Sequence, residues 1–244
     1  MPTQTRRPHA GFTLIELLTV IAIIGLLAAI IFPAIGTAQN NVKKALEGTN
    51  LRTIGQAAIA FGNDTSEGAL PDPQGPAAAQ ITGGDRLHVW MAQLARAGLN
   101  DPKLYWSKID PKNPFPVDAP VSILNPDNKR AINQGITKYP IMFDVVGGLR
   151  TSDPSTAPIG FTRGLRKDGD WDKDKAPYAD TGGFVVFLGG NLEKFDSINN
   201  KLTNTRGKPT SNILQAIPNN AKQNVYGMNS VIGTPGGTPP ENAQ

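Results

Sequence analysis

Cysteine is absent from all 244 residues, which excludes disulfides, zinc–thiolate sites and thiol nucleophiles together. Histidine is nearly as scarce. His9 and His88 are the only two, too few for a multi-histidine metal centre. A serine triad through His88 would call for a G-x-S-x-G elbow, and the chain has none. Neither G-x-x-x-x-G-K-[ST] nor G-x-G-x-x-G occurs, so no phosphate loop is present and any assembly energy must come from a separate ATPase. Charge of either sign is sparse: 24 Lys and Arg stand against 20 Asp and Glu, a formal net of +4, with no basic cluster of five or more. Trp90, Trp106 and Trp171 are scattered rather than laid along one strand. Nucleic acid is therefore not an expected partner, and enzymatic activity is not expected either.

One long apolar run is present. A leader with Arg6, Arg7 and Pro8 gives way to Gly11 and then to residues 12–35, a stretch of 24 whose single charge is Glu16. As a helix it would cover roughly 36 Å, enough to cross a hydrocarbon core of about 30 Å. A carboxylate inside such a segment costs on the order of 2.5–3.5 kcal/mol and so needs a partner. The order Gly11-Phe12-Thr13-Leu14-Ile15-Glu16 resembles the prepilin motif of type IV pilins and type II secretion pseudopilins, residue for residue.

That resemblance implies processing and assembly. A prepilin peptidase would cut between Gly11 and Phe12 and methylate the new amine on Phe12. Glu16 would meet the N-terminal amine of a neighbouring subunit, and Pro33 matches the family's helix-kinking proline. The partners implied are copies of the chain itself, other pseudopilins, the peptidase, the membrane and an inner-membrane assembly platform. Arg6 and Arg7 would keep the leader in the cytoplasm. The protein is then expected as a single-pass inner-membrane precursor with a periplasmic domain, and afterwards in a filament in the periplasm or at the cell surface. The expected role is a structural subunit of a type II secretion pseudopilus. The lack of cysteine tilts toward pseudopilins, since many type IV pilins close a C-terminal disulfide. Alternatives are a type IV pilus subunit for adhesion, motility or DNA uptake, and a membrane-tethered binding protein that never polymerises. An ordinary secretory signal, cut near Gly36-Thr37-Ala38, would not use Glu16, and the run exceeds the usual signal core of about 7–15 residues.

Beyond Pro33 the pattern becomes one-sided. Val42, Leu46, Leu51, Ile54, Ala58 and Phe61 read as an apolar stripe, with Gln39, Asn40, Lys43, Lys44, Glu47, Asn50 and Arg52 on the other faces. One helix over about 13–60 is expected, kinked or loosened near Pro33 and Gly36. Gly48 and Gly55 argue against a free coiled coil and for a domain packed on one side. A second helix is expected over 85–97, burying Leu87, Trp90, Met91 and Leu94, with His88 a surface or packing residue rather than a ligand. Pro111, Pro114, Pro116 and Pro120 mark irregular chain, with Tyr105, Trp106, Ile109, Phe115 and Val117 turned to the domain. Strands are expected over 138–146, 158–162, 183–189 and 192–195, the last two joined by a turn at Gly189-Gly190-Asn191.

The expected fold is α+β and pilin-like: a long N-terminal helix packed on a small antiparallel β-sheet, with a loop-rich C-terminal region. Its parts are the leader at 1–11, the transmembrane and polymerisation helix at 12–35, the globular domain at 36–208 and a loop-rich to disordered tail at 209–244. The segment 51–71 and the strand pair near Gly182 resemble a large group of pseudopilin-like proteins. In that group a histidine and an aspartate stand where this chain has Phe184 and Gly189. One acidic cluster remains: Asp168, Asp170, Asp172 and Asp174 alternate along a loop, an arrangement that can converge on a hard cation, and calcium is the candidate. Lys167, Lys173 and Lys175 supply the competing reading, a solvated loop of mixed charge.

Overall fold

An apolar run followed by a one-sided stripe should give one helix with two characters, and the computed structural model contains it. The structure describes residues 13–232 apart from 108, 111–119, 220, 222, 223 and 229, with only the backbone at 33, 34 and 37. The leader with His9, the processing pair Gly11 and Phe12, the loop residues Pro111, Pro114, Phe115, Pro116 and Val117, and residues 233–244 lie outside the described residues. The chain divides into two compact units, Met1–Lys44 and Ala45–Gln244.

In the first unit the described chain is almost wholly helix α1, Leu14–Asn63, which continues into the second unit. Leu, Ala and Ile dominate its start, and a helix closes their backbone hydrogen bonds internally, as hydrocarbon requires. Leu14–Phe32, 19 residues, is long and apolar enough to cross a membrane, and none of it is buried within the protein. Pro33 and Gly36, expected to kink or loosen the helix, both lie inside α1, which runs on through them.

The second unit is built on a five-stranded antiparallel sheet. Its strands are β1 Phe143–Val146, β2 Pro158–Thr162, β3 Gly183–Phe187, β4 Leu192–Phe195 and β7 Val225–Tyr226, in the order β4-β3-β2-β1-β7. Every residue of β1, β2 and β3 is buried, as their near-continuous apolar runs require of strands covered on both faces. On the β4 edge Glu193 and Lys194 are exposed, and their charges protect the open ladder from further pairing. The β3–β4 turn closes where the glycines are, with Gly190 N–H donating to Phe187 C=O at 2.8 Å. The strand expected over 138–146 is shorter: a single turn of 3-10 helix, Ile136–Lys138, and Pro140 precede β1.

The domain half of α1 lies on this sheet through glycine. A Cβ on Gly48 would stand 2.8 Å from Phe184 Cε1, and one on Gly55 would stand 2.6 Å from Val186 Cγ2. The two glycines are seven residues apart on one helix face, and Phe184 and Val186 are two apart on one face of β3. Helix and strand therefore approach more closely than side chains would allow. Leu51, Ile54 and Ala58 are buried as the stripe predicts, but Val42 and Leu46 are 68% and 63% exposed while Glu47 is buried. The reason is phase. At about 100° per residue, Val42 falls about 180° and Leu46 about 140° round the helix from Leu51, so neither shares its face.

Helix α2, Arg86–Arg96, buries Leu87, Trp90, Met91 and Leu94 and is capped by Asp85, whose side chain accepts from His88 N–H at 3.1 Å. Its Gln93 side chain pairs with both backbone groups of Asp72, at 3.0 and 2.8 Å. The folded domain also extends past residue 208, where the sequence suggests a loop-rich tail. A small hairpin (β5 Leu202–Thr203 with β6 Pro209–Thr210) leads to α3, Ile213–Ala216, and then to β7 on the β1 edge. Ile213, Ile217, Val225, Tyr226 and Ile232 are all buried. These elements are two to four residues long, too short for hydrophobic periodicity to reveal.

Candidate functional site

Glu16 lies in the first turn of α1 and is engaged there by its own chain. Thr13 N–H and Thr13 Oγ1 each donate to Glu16 Oε2 at 2.8 Å, and Glu16 N–H donates back to Thr13 Oγ1 at 3.3 Å. This is a capping box, the T-x-x-E pattern that satisfies two free donors at a helix start. The motif residues therefore have a local use that the sequence reading overlooked, although Thr13 and Glu16 stand at the required spacing. The carboxylate is thus turned back onto the first turn of its own helix. Pro33 sits 17 positions further along the same helix and does not approach Glu16.

In the domain, two buried polar pairs tie distant segments together. Tyr178 Oη donates to Glu47 Oε2, joining α1 to the loop before β3. Burial raises the Tyr178 phenol above its ordinary value, and the Glu47 carboxylate beside it raises it further. The side chain of Arg163, directly after β2, makes four hydrogen bonds. Nη2 donates to both Asp110 oxygens at 2.9 and 2.8 Å, Nη1 to Ile141 C=O at 2.8 Å and Nε to Lys175 C=O at 2.9 Å. Both side chains of the ion pair are essentially inaccessible, at 1% and 0% exposure. Sequence reasoning missed both pairs. Only the position of Glu47, four residues before Leu51, hinted at its burial.

The four aspartates of the 168–174 loop do not converge, and no group of three or more His, Cys, Asp or Glu among the described residues is placed to hold a metal. Asp168 Oδ1 accepts from Asp170 N–H at 3.1 Å, and Asp172 Oδ1 accepts from the N–H groups of Asp174 and Lys175 at 3.0 and 3.1 Å. The Asp170 amide, and then Arg166, hold the Asp168 carboxyl below its usual range. The alternation reflects turn-forming aspartates. Between them Trp171 is buried over the start of β3, with Nε1 donating to Thr162 C=O at 3.2 Å. His88 is a packing residue, 2% exposed, with Nδ1 against Asp85 Oδ1 at 2.7 Å. Phe184 fills the approach to Gly48, and Gly189, in the β3–β4 turn, donates to Ser155 C=O at 2.8 Å and so ties the turn to the chain before β2. A groove of about 350 Å³ beside the end of α1 is lined by Phe61, Thr65, Leu70, Asp72, Gln93 and Arg150.

Residues 6–32 match the family described as a prokaryotic N-terminal methylation motif. Two curated fimbrial proteins of Pseudomonas aeruginosa are each 45% identical to the chain over 68 residues, which is 27% of this chain and 44% of theirs. The chain thus spans less than half the length of these curated relatives. No solved structure matches. The N-terminal segment thus carries a prokaryotic N-terminal methylation motif, and the long helix followed by a five-stranded antiparallel sheet is consistent with a pilin-like fold.

Proposed function

We propose that the protein is a structural, non-catalytic filament subunit made as a single-pass inner-membrane precursor. A prepilin peptidase removes residues 1–11 and methylates Phe12. The subunits then bundle through the segment before the domain. The observation that carries this reading is an apolar helix with no burial of its own in Leu14–Phe32 and one carboxylate near its start. That carboxylate, Glu16, is held by Thr13 alone among the described residues. In a filament, the methylated amine of a neighbour takes up the charge that lipid cannot solvate.

The finer assignment is a type II secretion pseudopilus, working with other pseudopilins, an assembly platform and its ATPase, with the domain in the periplasm. The lack of cysteine supports it. The similar proteins named fimbrial support the second reading, a type IV pilus subunit. Mass analysis of the N-terminal peptide from membrane-extracted protein tests the common part of both. A peptide beginning at Phe12 with one added methyl is expected. An intact Met1, or a start near Gln39, overturns it. Glu16→Ala should abolish filament assembly while leaving membrane insertion intact, whereas a plain tether would lose nothing.

A further inference from the structure

Asp144 lies in the middle of β1 with its side chain wholly buried. Among the other buried carboxylates, Asp110 has Arg163 and Glu47 has Tyr178, but Asp144 forms no ion pair among the described residues. Oδ2 accepts from Ser230 Oγ at 2.6 Å, and Oδ1 is buried without a partner among the described residues. A carboxylate with one hydrogen bond and no cation cannot remain charged at low cost in such a site. It takes a proton instead. Burial pushes the carboxyl up to about 7, with the Ser230 bond and the more distant Arg163 charge pulling the other way.

The groups around Asp144 define what this proton controls. From just after β2, Arg163 acts on it as a charge, but four of its five guanidinium N–H donors are committed to Asp110, Ile141 and Lys175. The rest of β1 is Phe143, Val145 and Val146, which carry no charge. The chain on the other side, residues 224–232, also carries none, and Tyr226 is its single titratable group. That chain holds to β1 by two register pairs, Val145 with Tyr226 and Val146 with Val225. Gly227 follows, and any Cβ there would collide with Asp144 Oδ1. The carboxyl is thus enclosed between β1 and the last strand, with Ser230 across it.

We propose that the Asp144 carboxyl, enclosed by Gly227 and Ser230, is a proton-operated latch on β7. Protonated, it stays buried and the strand stays on the sheet. Ionised, it must reach water, and β7 lifts from the β1 edge. Lifting exposes the edge of β1, which nothing else in the order β4-β3-β2-β1-β7 covers. The inference stands on the domain alone and does not depend on filament assembly.

The sign follows from linkage. An open Asp144 titrates near the ordinary carboxylate value of about 3.9, so between there and about 7 the closed state holds a proton that the open state has released. Stability of the closed state is full below that window and is lost as pH rises to its top. Opening should increase by up to about tenfold per pH unit and level off above about pH 7. Hydrogen exchange on the full chain in detergent, corrected for intrinsic rates, reads this at the peptide containing Val225 and Tyr226. Asp144→Asn should abolish the slope, and Ser230→Ala should raise opening at every pH while keeping it. Carboxyl-carbon NMR of the wild type reads Asp144 directly, whether or not the asparagine variant folds. A wild-type slope no steeper than that of Asp144→Asn, or an Asp144 carbon titrating in the ordinary carboxylate range, overturns the proposal.

Discussion

Replacing Arg163 by methionine tests the claim that a buried ion pair ties the domain together. The side chain makes four hydrogen bonds, two of them to Asp110, and neither partner sees solvent. Methionine keeps much of the apolar stem but leaves the Asp110 carboxylate without its cation. Breaking one side of a buried pair costs about 3–5 kcal/mol. For a domain of this size each kcal/mol lowers Tm by about 2–4 °C, so a fall of about 6–20 °C is expected. Thermal unfolding of the detergent-solubilised chain, followed by fluorescence of the buried Trp90 and Trp171, measures it. Asp110→Asn should also destabilise, and the double variant should lose less than the sum of the two by about 2 kcal/mol or more. If Arg163→Met shifts Tm by under about 2 °C, or if the single losses simply add, the pair does not hold the domain as described.

Two further outcomes follow from the packing. Gly55→Leu should destabilise the domain by about 1–3 kcal/mol, because Val186 leaves no room and overpacking exceeds the roughly 1 kcal/mol that losing a helical glycine returns. Gly25→Leu, where nothing stands within 4 Å, should leave the thermal transition of the domain unchanged; equal losses at both sites would undo the close-approach argument. Millimolar calcium should move Tm by less than about 1 °C, since a bound ligand would raise it by mass action. A larger rise that disappears in Asp168→Asn would restore the loop as a metal site.

Some of this architecture is legible in the sequence. Long, strongly patterned stretches announce themselves: the apolar start of α1, the α2 pattern of Leu87, Trp90, Met91 and Leu94, and the run Phe184-Val185-Val186-Phe187. Val42 and Leu46 mislead because steps of three and four can join residues that lie on different faces once they are chained over several turns. Glu47 reads as exposed because its burial depends on Tyr178, 131 residues away. Arg163 and Asp110 are likewise unremarkable until the chain brings together segments 53 residues apart. The aspartate loop looks like a ligand set in one dimension, and only the fold shows Asp168 and Asp172 accepting from backbone amides within the loop. Beyond residue 208 the elements are too brief to pattern, and their place is set by tertiary contacts: β7 pairs with β1, while α3 packs on the β5–β6 hairpin.

Each side chain of α1 that the domain buries lies at or after Glu47. The helix before that point contributes nothing described to the domain's core, so substitutions there are judged by a different environment. Upstream, the large apolar side chains of Leu14–Phe32 are exposed, and exchanging one for another removes no contact buried in the domain. Downstream, replacing glycine by alanine is already a large change. One continuous helix therefore carries two different rules of tolerance, and the boundary between them falls within a single turn. A mutational scan along α1 would reveal it as a step at residues 46–48, in a stretch where the backbone itself shows no change at all.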